Sequence, residues 1–209
     1  MPPFERPLPV CAAEPPQEPL PYGHWAEALG AHVLEAFSEL DSGGEDLGEP
    51  GGIVWFPDRT FNGRTYVPVT APTSNGYELF GYVSYTREHE GAQAAGFTAS
   101  VDFTEETAEA NPGWTLDLSD QEIAHWRGPE GRRGVITLVW GVALVADGAV
   151  DTAELGPLTT DQCILTDDRF TLVSLDDYTG DYVEVHLFGP RGAELASESL
   201  YEEDDQPAD

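Results

Sequence analysis

The surplus of carboxylates over cations constrains this chain more than any motif in it. Thirty-nine Asp and Glu residues face 9 arginines and no lysine, for a formal charge of -30. A carboxylate buried without a partner costs too much to retain, so most of these groups must stand in water with no basic neighbour. Such a surface repels itself. It also repels nucleic acid and anionic bilayers, which leaves a basic protein as the electrostatically compatible partner. A biased composition rich in Ala, Gly, Pro, Asp and Glu produces the same surplus with no recognition surface at all.

The rest of the composition is ordinary for a folded chain: 209 residues, 40% of them hydrophobic, suffice for one core. Cys11 and Cys163 are too few for a disulfide framework or a zinc knuckle, which predicts two free thiols in a reducing compartment. The N-terminal residues lack the continuous apolar stretch of a signal peptide, and the apolar run 135–146 is too short to span a membrane. The expected location is cytoplasmic, with no membrane and no nucleic-acid partner.

Eight prolines in residues 1–21 hold the backbone extended and remove donors, predicting an arm laid along a single domain at 22–201. Trp25, Leu29, Val33, Phe37 and Leu40 recur at threes and fours, so residues 22–41 form an amphipathic helix that must cover something apolar, ending at Gly43 and Gly44. From residue 52 the period falls to two. Asn62-Gly63 supplies the positive φ of a tight turn between strands at 59–61 and 64–69, with Pro68 pointing to an edge or a bulge. Residues 77–86 are apolar on both faces, whereas in 97–103 Phe97, Ala99, Val101 and Phe103 alternate with Thr98, Ser100 and Asp102. Ser119 and Glu122 have capping-box spacing, which predicts a short helix at 120–127. The charge-free run 135–146 reads as a central strand with Gly141 permitting a bulge or sharp coil midway, Asp147-Gly148 as a hairpin turn, and strands follow near 162–166, 169–175 and 181–188. Residues 202–209 are an acidic tail expected to be disordered. The predicted fold is mainly β with an α+β tendency: an antiparallel sandwich or partly open barrel covered by the N-terminal helix.

No phosphate-cradling glycine loop, nucleophile elbow, HExxH or zinc spacing is present. The residues that remain for chemistry are His186 beside Glu184, with Asp102 or Tyr82 as orienting partners should the sheet bring them together. Tyr66, Phe80, Tyr82 and Tyr85 form an aromatic set able to line a pocket. Arg127, Arg132 and Arg133 concentrate positive charge at one loop and could hold an anion or clamp the acidic surface. Asp147, Asp151 and Glu154 offer oxygens for an irregular cation site. No cofactor is implied.

Taken together these features point to an acidic binding or regulatory protein, such as an inhibitor or immunity-type protein for a basic partner. The alternative is a small-ligand binder or hydrolase-like enzyme with its site in the mouth of the β domain. The charge surplus also makes a direct prediction about stability. Raising salt from about 10 mM to about 150 mM shortens the screening length from about 30 Å to about 8 Å and should raise the melting temperature. A flat thermal-melting profile across that range would contradict it.

Overall fold

Period-two patterning sorts most of the described residues into three antiparallel sheets beside one helix. The computed structural model describes residues 13–89, 91–127, 133–145, 150, 152–155, 161–176 and 184–200. Helix α1 (Gly23–Glu39) is followed by β1 (Val54–Trp55), β2 (Arg59–Phe61), β3 (Arg64–Pro72), β4 (Glu78–Thr86), β5 (Ala95–Thr104), β6 (Leu116–Arg127) and β7 (Arg133–Ala143). Then come β8 (Thr152–Leu155), β9 (Asp161–Ile164), β10 (Arg169–Asp176), β11 (Glu184–Phe188) and β12 (Glu194–Ser199). The first sheet runs β1-β3-β4-β5 with β2 also on β3, the second β10-β7-β6, the third β12-β11-β8-β9. Among the described residues no sheet closes into a barrel, which is consistent with the predicted antiparallel sandwich.

The middle strand of the middle sheet sets the layering. From β7, Ile136, Leu138 and Trp140 turn to one side and pack with Phe56, Tyr66, Phe80 and Tyr82 of the first-sheet region. Val139 turns to the other and, with Phe170 and Leu172 of β10, meets Ala153, Leu155, Val185 and Leu187 of the third sheet. A strand covered on both faces excludes unpaired charge, which accounts for the charge-free run; Thr137 is its buried hydroxyl side chain. The remaining face of the first sheet, carrying Val67, Val69, Val83 and Tyr85, is sealed by Leu29 and Val33 of α1. Each such side chain contributes about 1.5–3 kcal/mol on burial.

The Asn62-Gly63 turn forms as predicted, with φ of 50° and 75°. Pro68 lies inside the sheet rather than on an outer strand. β3 pairs with β4 along one side, and Pro68 faces the interruption between β1 and β2 on the other, where its carbonyl accepts the Phe56 N–H at 3.1 Å. Its missing donor therefore falls where no regular ladder runs.

Three local expectations are overturned. Residues 120–127 are not a helix but most of β6, paired with β7 from Leu116 to Arg127 through one irregularity between Glu122 and Ala124. A capping box is worth about 1 kcal/mol, whereas the apolar β7 needs a partner along its whole edge. The strands before and after residues 147 and 148 belong to different sheets, so no tight hairpin joins β7 to β8. Gly141 sits at no bulge: the β7–β10 register is continuous through it. A Cβ there would lie 2.3 Å from the Asp117 carbonyl oxygen, so glycine serves close strand approach instead. The strand β12 was not anticipated in the acidic segment after residue 192.

One ion pair ties the outer sheets together. Arg59 of β2 is 1% exposed and Asp161 of β9 is 0% exposed. The guanidinium engages both carboxylate oxygens, with Nη2–Oδ2 at 2.6 Å, and Nη1 donates to the Gln162 carbonyl at 3.3 Å. Asp161 also accepts the Val173 N–H of β10 at 2.7 Å, so one carboxylate touches all three sheets. Replacing Arg59 by Met should cost about 3–5 kcal/mol, because it strands a buried charge. Adding Asp161→Asn, which keeps an acceptor for Val173 and removes the charge, should restore part of that loss in denaturant melts. Equal stability of the two variants would show that the charge itself is not the problem.

Candidate functional site

Among the concave regions that gather titratable side chains in the described residues, two lie where the first sheet meets another part of the chain. The first is a cleft of about 560 Å³ beneath the N-terminal arm, lined by Glu14, Glu18, Asp58, Thr65, Arg87 and His89 among others. Glu14 bridges to Thr60 of β2, its N–H donating to the Thr60 carbonyl at 2.7 Å; residues 1–12 of the predicted arm lie outside the described residues. Pro57-Asp58 breaks the chain between β1 and β2 and turns the Asp58 carboxylate inward, where it accepts the N–H groups of Gln17 and Glu18 at 3.1–3.3 Å. Burial raises the Asp58 pKa, and those two donors pull against the rise. Glu18 pairs with Arg87, whose guanidinium lies 4.9 Å above the Tyr85 ring and 5.8 Å above Trp25. Burial, reinforced by Glu18, pushes the Tyr85 hydroxyl far above its usual range, so it remains a neutral donor to Glu18 at 3.4 Å.

The second region is a smaller acidic groove of about 150 Å³ where β4 and β6 approach, lined by Glu78, Phe80, Glu106, Trp114, Asp117 and Asp120 among others. Glu78, Asp117 and Asp120 are all half-buried. Burial lifts the pKa of Glu78 from 4.5 to about 7, with Asp117 adding to the rise, and burial also raises Asp117 and Asp120. Each carboxyl is thus held in a setting that disfavours its charge. A cation entering the groove would favour the ionised forms, and Phe80 and Trp114 line the same groove.

The residues singled out from the sequence do not converge. Tyr82 stands on the first sheet, edge-to-face with Tyr66 at 5.4 Å in the core shared with the second sheet. Asp102 is exposed on β5 and accepts the N–H of its neighbour Phe103 at 2.8 Å. His186 is two layers away on the third sheet, flanked by Glu184 and Glu194 at 3.5 Å and stacked on Phe188. Those contacts are electrostatic rather than aligned hydrogen bonds, since neither ring nitrogen meets hydrogen-bond geometry. The aromatic set divides as well: Phe80 lines the acidic groove and Tyr85 the arm cleft, on opposite faces of β4, while Tyr66 fills the core.

Arg127 and Arg133 oppose each other across the β6–β7 hairpin, but their side chains and all of Arg132 lie outside the described residues. So do Asp147 and Asp151; Glu154 is buried on β8 and accepts Nε2 of Gln162 at 3.0 Å. Among the described residues no group of three His, Cys, Asp or Glu side chains is placed to hold a metal ion. Glu18, Asp58, Glu78, Asp117 and Asp120 had no local motif to mark them; the Pro-Asp break at 57–58 was the single usable hint.

The groove carries a pH signature. Glu78 binds its proton more tightly folded than unfolded, so its contribution to stability is full below about 4.5 and is lost as pH rises through about 7. The melting temperature should therefore fall across that window, and Glu78→Gln should remove part of the fall. Parallel pH profiles for the two proteins would contradict this assignment.

No protein-family model, no curated protein and no solved structure matches the chain.

Proposed function

We propose that this chain is an acidic binding protein that captures a basic partner, as an inhibitor or immunity-type protein does. The carrying observation is how the arginines are used. Arg59 is sealed against Asp161, Arg169 donates to the Trp55 carbonyl at 2.8 Å, Arg64 donates to the Gly96 carbonyl at 2.8 and 2.9 Å, and Arg87 holds the arm through Glu18. With 9 arginines against 39 acids in all, spending four on internal acceptors leaves the outer carboxylates to set the surface potential. Such a field accelerates encounter with a cationic protein and discourages anionic ones. The acidic groove supports the same reading, because ionising its carboxyls becomes easier once a guanidinium or ammonium enters.

The arm cleft favours a second reading, a binder of a small polar ligand, since it brings Asp58, Glu18, Arg87 and Tyr85 around one volume.

Fluorescence anisotropy with a labelled oligoarginine peptide distinguishes them. The peptide should bind at about 150 mM salt and weaken steeply as salt rises. The triple variant Glu78→Gln, Asp117→Asn, Asp120→Asn should weaken binding about tenfold, or about 1.4 kcal/mol. Removing an equal number of charges from α1 (Glu27→Gln, Glu35→Gln, Glu39→Gln) should have a much smaller effect. Absence of binding at about 150 mM salt would overturn the basic-partner reading and leave the arm cleft as the site.

A further inference from the structure

The first sheet ends on a long strand whose outer edge carries free backbone groups. β5 spans Ala95–Thr104, pairs with β4 on one side, and among the described residues has no strand on the other. Hydrogen-bond parity fixes which groups face outward. The Pro68 carbonyl accepts from Phe56, so Pro68 faces away from β4; its partner Tyr82 then faces β5, and Ser100 opposite Tyr82 faces back. Ala99 and Val101 accordingly turn their N–H and C=O groups out of the sheet. Their side chains tuck under α1 with Trp25 and Ala26. Thr98, Ser100 and Asp102 lie exposed on the opposite face.

Exposed edges of this length are normally blunted by Lys, Pro or a bulge. β5 contains neither residue, and its irregularity lies at one end, where Thr86 of β4 opposes Ala95. Only the far end is closed, by the Asp102 carboxylate on the Phe103 N–H. Beyond that end stand exposed Glu105 and Glu106, and Glu106 and Thr104 line the acidic groove.

We propose that this edge receives an extended segment of the basic partner as an added antiparallel strand. The proposal rests on the basic-partner reading and names its docking surface. Geometry dictates the segment's pattern. Residues that exchange hydrogen bonds with Ala99 and Val101 share a face with them and point toward α1, where apolar side chains fit. The intervening residues lie over Thr98, Ser100 and Asp102 and run toward Glu106, where Arg or Lys fits. The recognised chemistry is an extended segment alternating apolar and basic residues, held by main-chain bonds and selected by charge. A second copy of this chain is a poor occupant, since two molecules of charge -30 repel.

The test compares a short synthetic peptide alternating Arg and Val with the same peptide N-methylated at its valines, which removes the donors aimed at β5 and keeps every charge. The unmodified peptide should bind at least about tenfold more tightly, and its binding should slow hydrogen exchange at the Ala99 and Val101 amides. Ala99→Pro, which deletes an outward donor, should reduce the unmodified peptide to the level of the methylated one. Should that variant fold poorly, exchange on the unaltered protein decides alone. Equal binding of both peptides with unchanged exchange at Ala99 and Val101 overturns the edge site while leaving the acidic-surface reading intact. Failure of both peptides to bind overturns the two together. Protection of those amides in the free protein, accompanied by a dimer that Ala99→Pro dissociates, assigns the edge to a second copy and overturns the proposal.

Discussion

The contact on which the layered architecture depends is the Arg59–Asp161 pair. Both groups are removed from water, so neither can be lost singly without leaving an uncompensated charge. Asp161 also holds the Val173 amide and the Gln162 amide, the latter at 2.9 Å. The pair thus fixes where the first sheet sits on the second and where the third meets both. Apolar packing supplies most of the driving force, but it is non-directional and would tolerate sliding of one sheet over another. Nη2 of Arg59 spans both oxygens of Asp161 while Nη1 reaches the Gln162 carbonyl, and these directional bonds oppose such sliding.

The same pair explains how a chain with so few cations distributes them. Arginines placed outside would each offset one acid at a surface where exposed ion pairs are worth little. Placed inside or at seams, they join separate parts of the chain: Arg64 reaches the Ser84 hydroxyl as well as the Gly96 carbonyl, and Arg169 reaches the Trp55 carbonyl of β1. Structural economy and surface charge are therefore two sides of one allocation. The fold gains its joints from the arginines, and the surface keeps its negative field.

The two features on which the proposed capture of a basic segment rests lie along one rim. The acidic groove gathers carboxyls that burial holds in a disfavoured state, and the open edge of β5 ends beside it. In the proposed capture of a basic segment, the first would supply electrostatic selection and the second main-chain donors and acceptors. The arm cleft lies apart, beside the opposite face of β4, and is organised around Asp58 and the Glu18–Arg87 pair, which fasten the arm.

Local sequence determined the elements whose signals were short-range. The period of three and four in α1, the Asn62-Gly63 turn, the alternation in β5 and the charge-free run of β7 each follow from side-chain geometry within a few residues. The carboxylate surplus likewise set the sign of the surface. Tertiary structure decided the rest. Residues 120–127 became strand because β7 required a partner, against their own capping signal. Arg59 and Asp161 are 102 positions apart, and Glu78 and Asp117 converge only where two sheets meet. His186 and Tyr82, plausible companions by residue type, were set in separate layers. Spacing along a chain encodes turns and faces, but which sheet lies on which is settled by long-range burial and pairing.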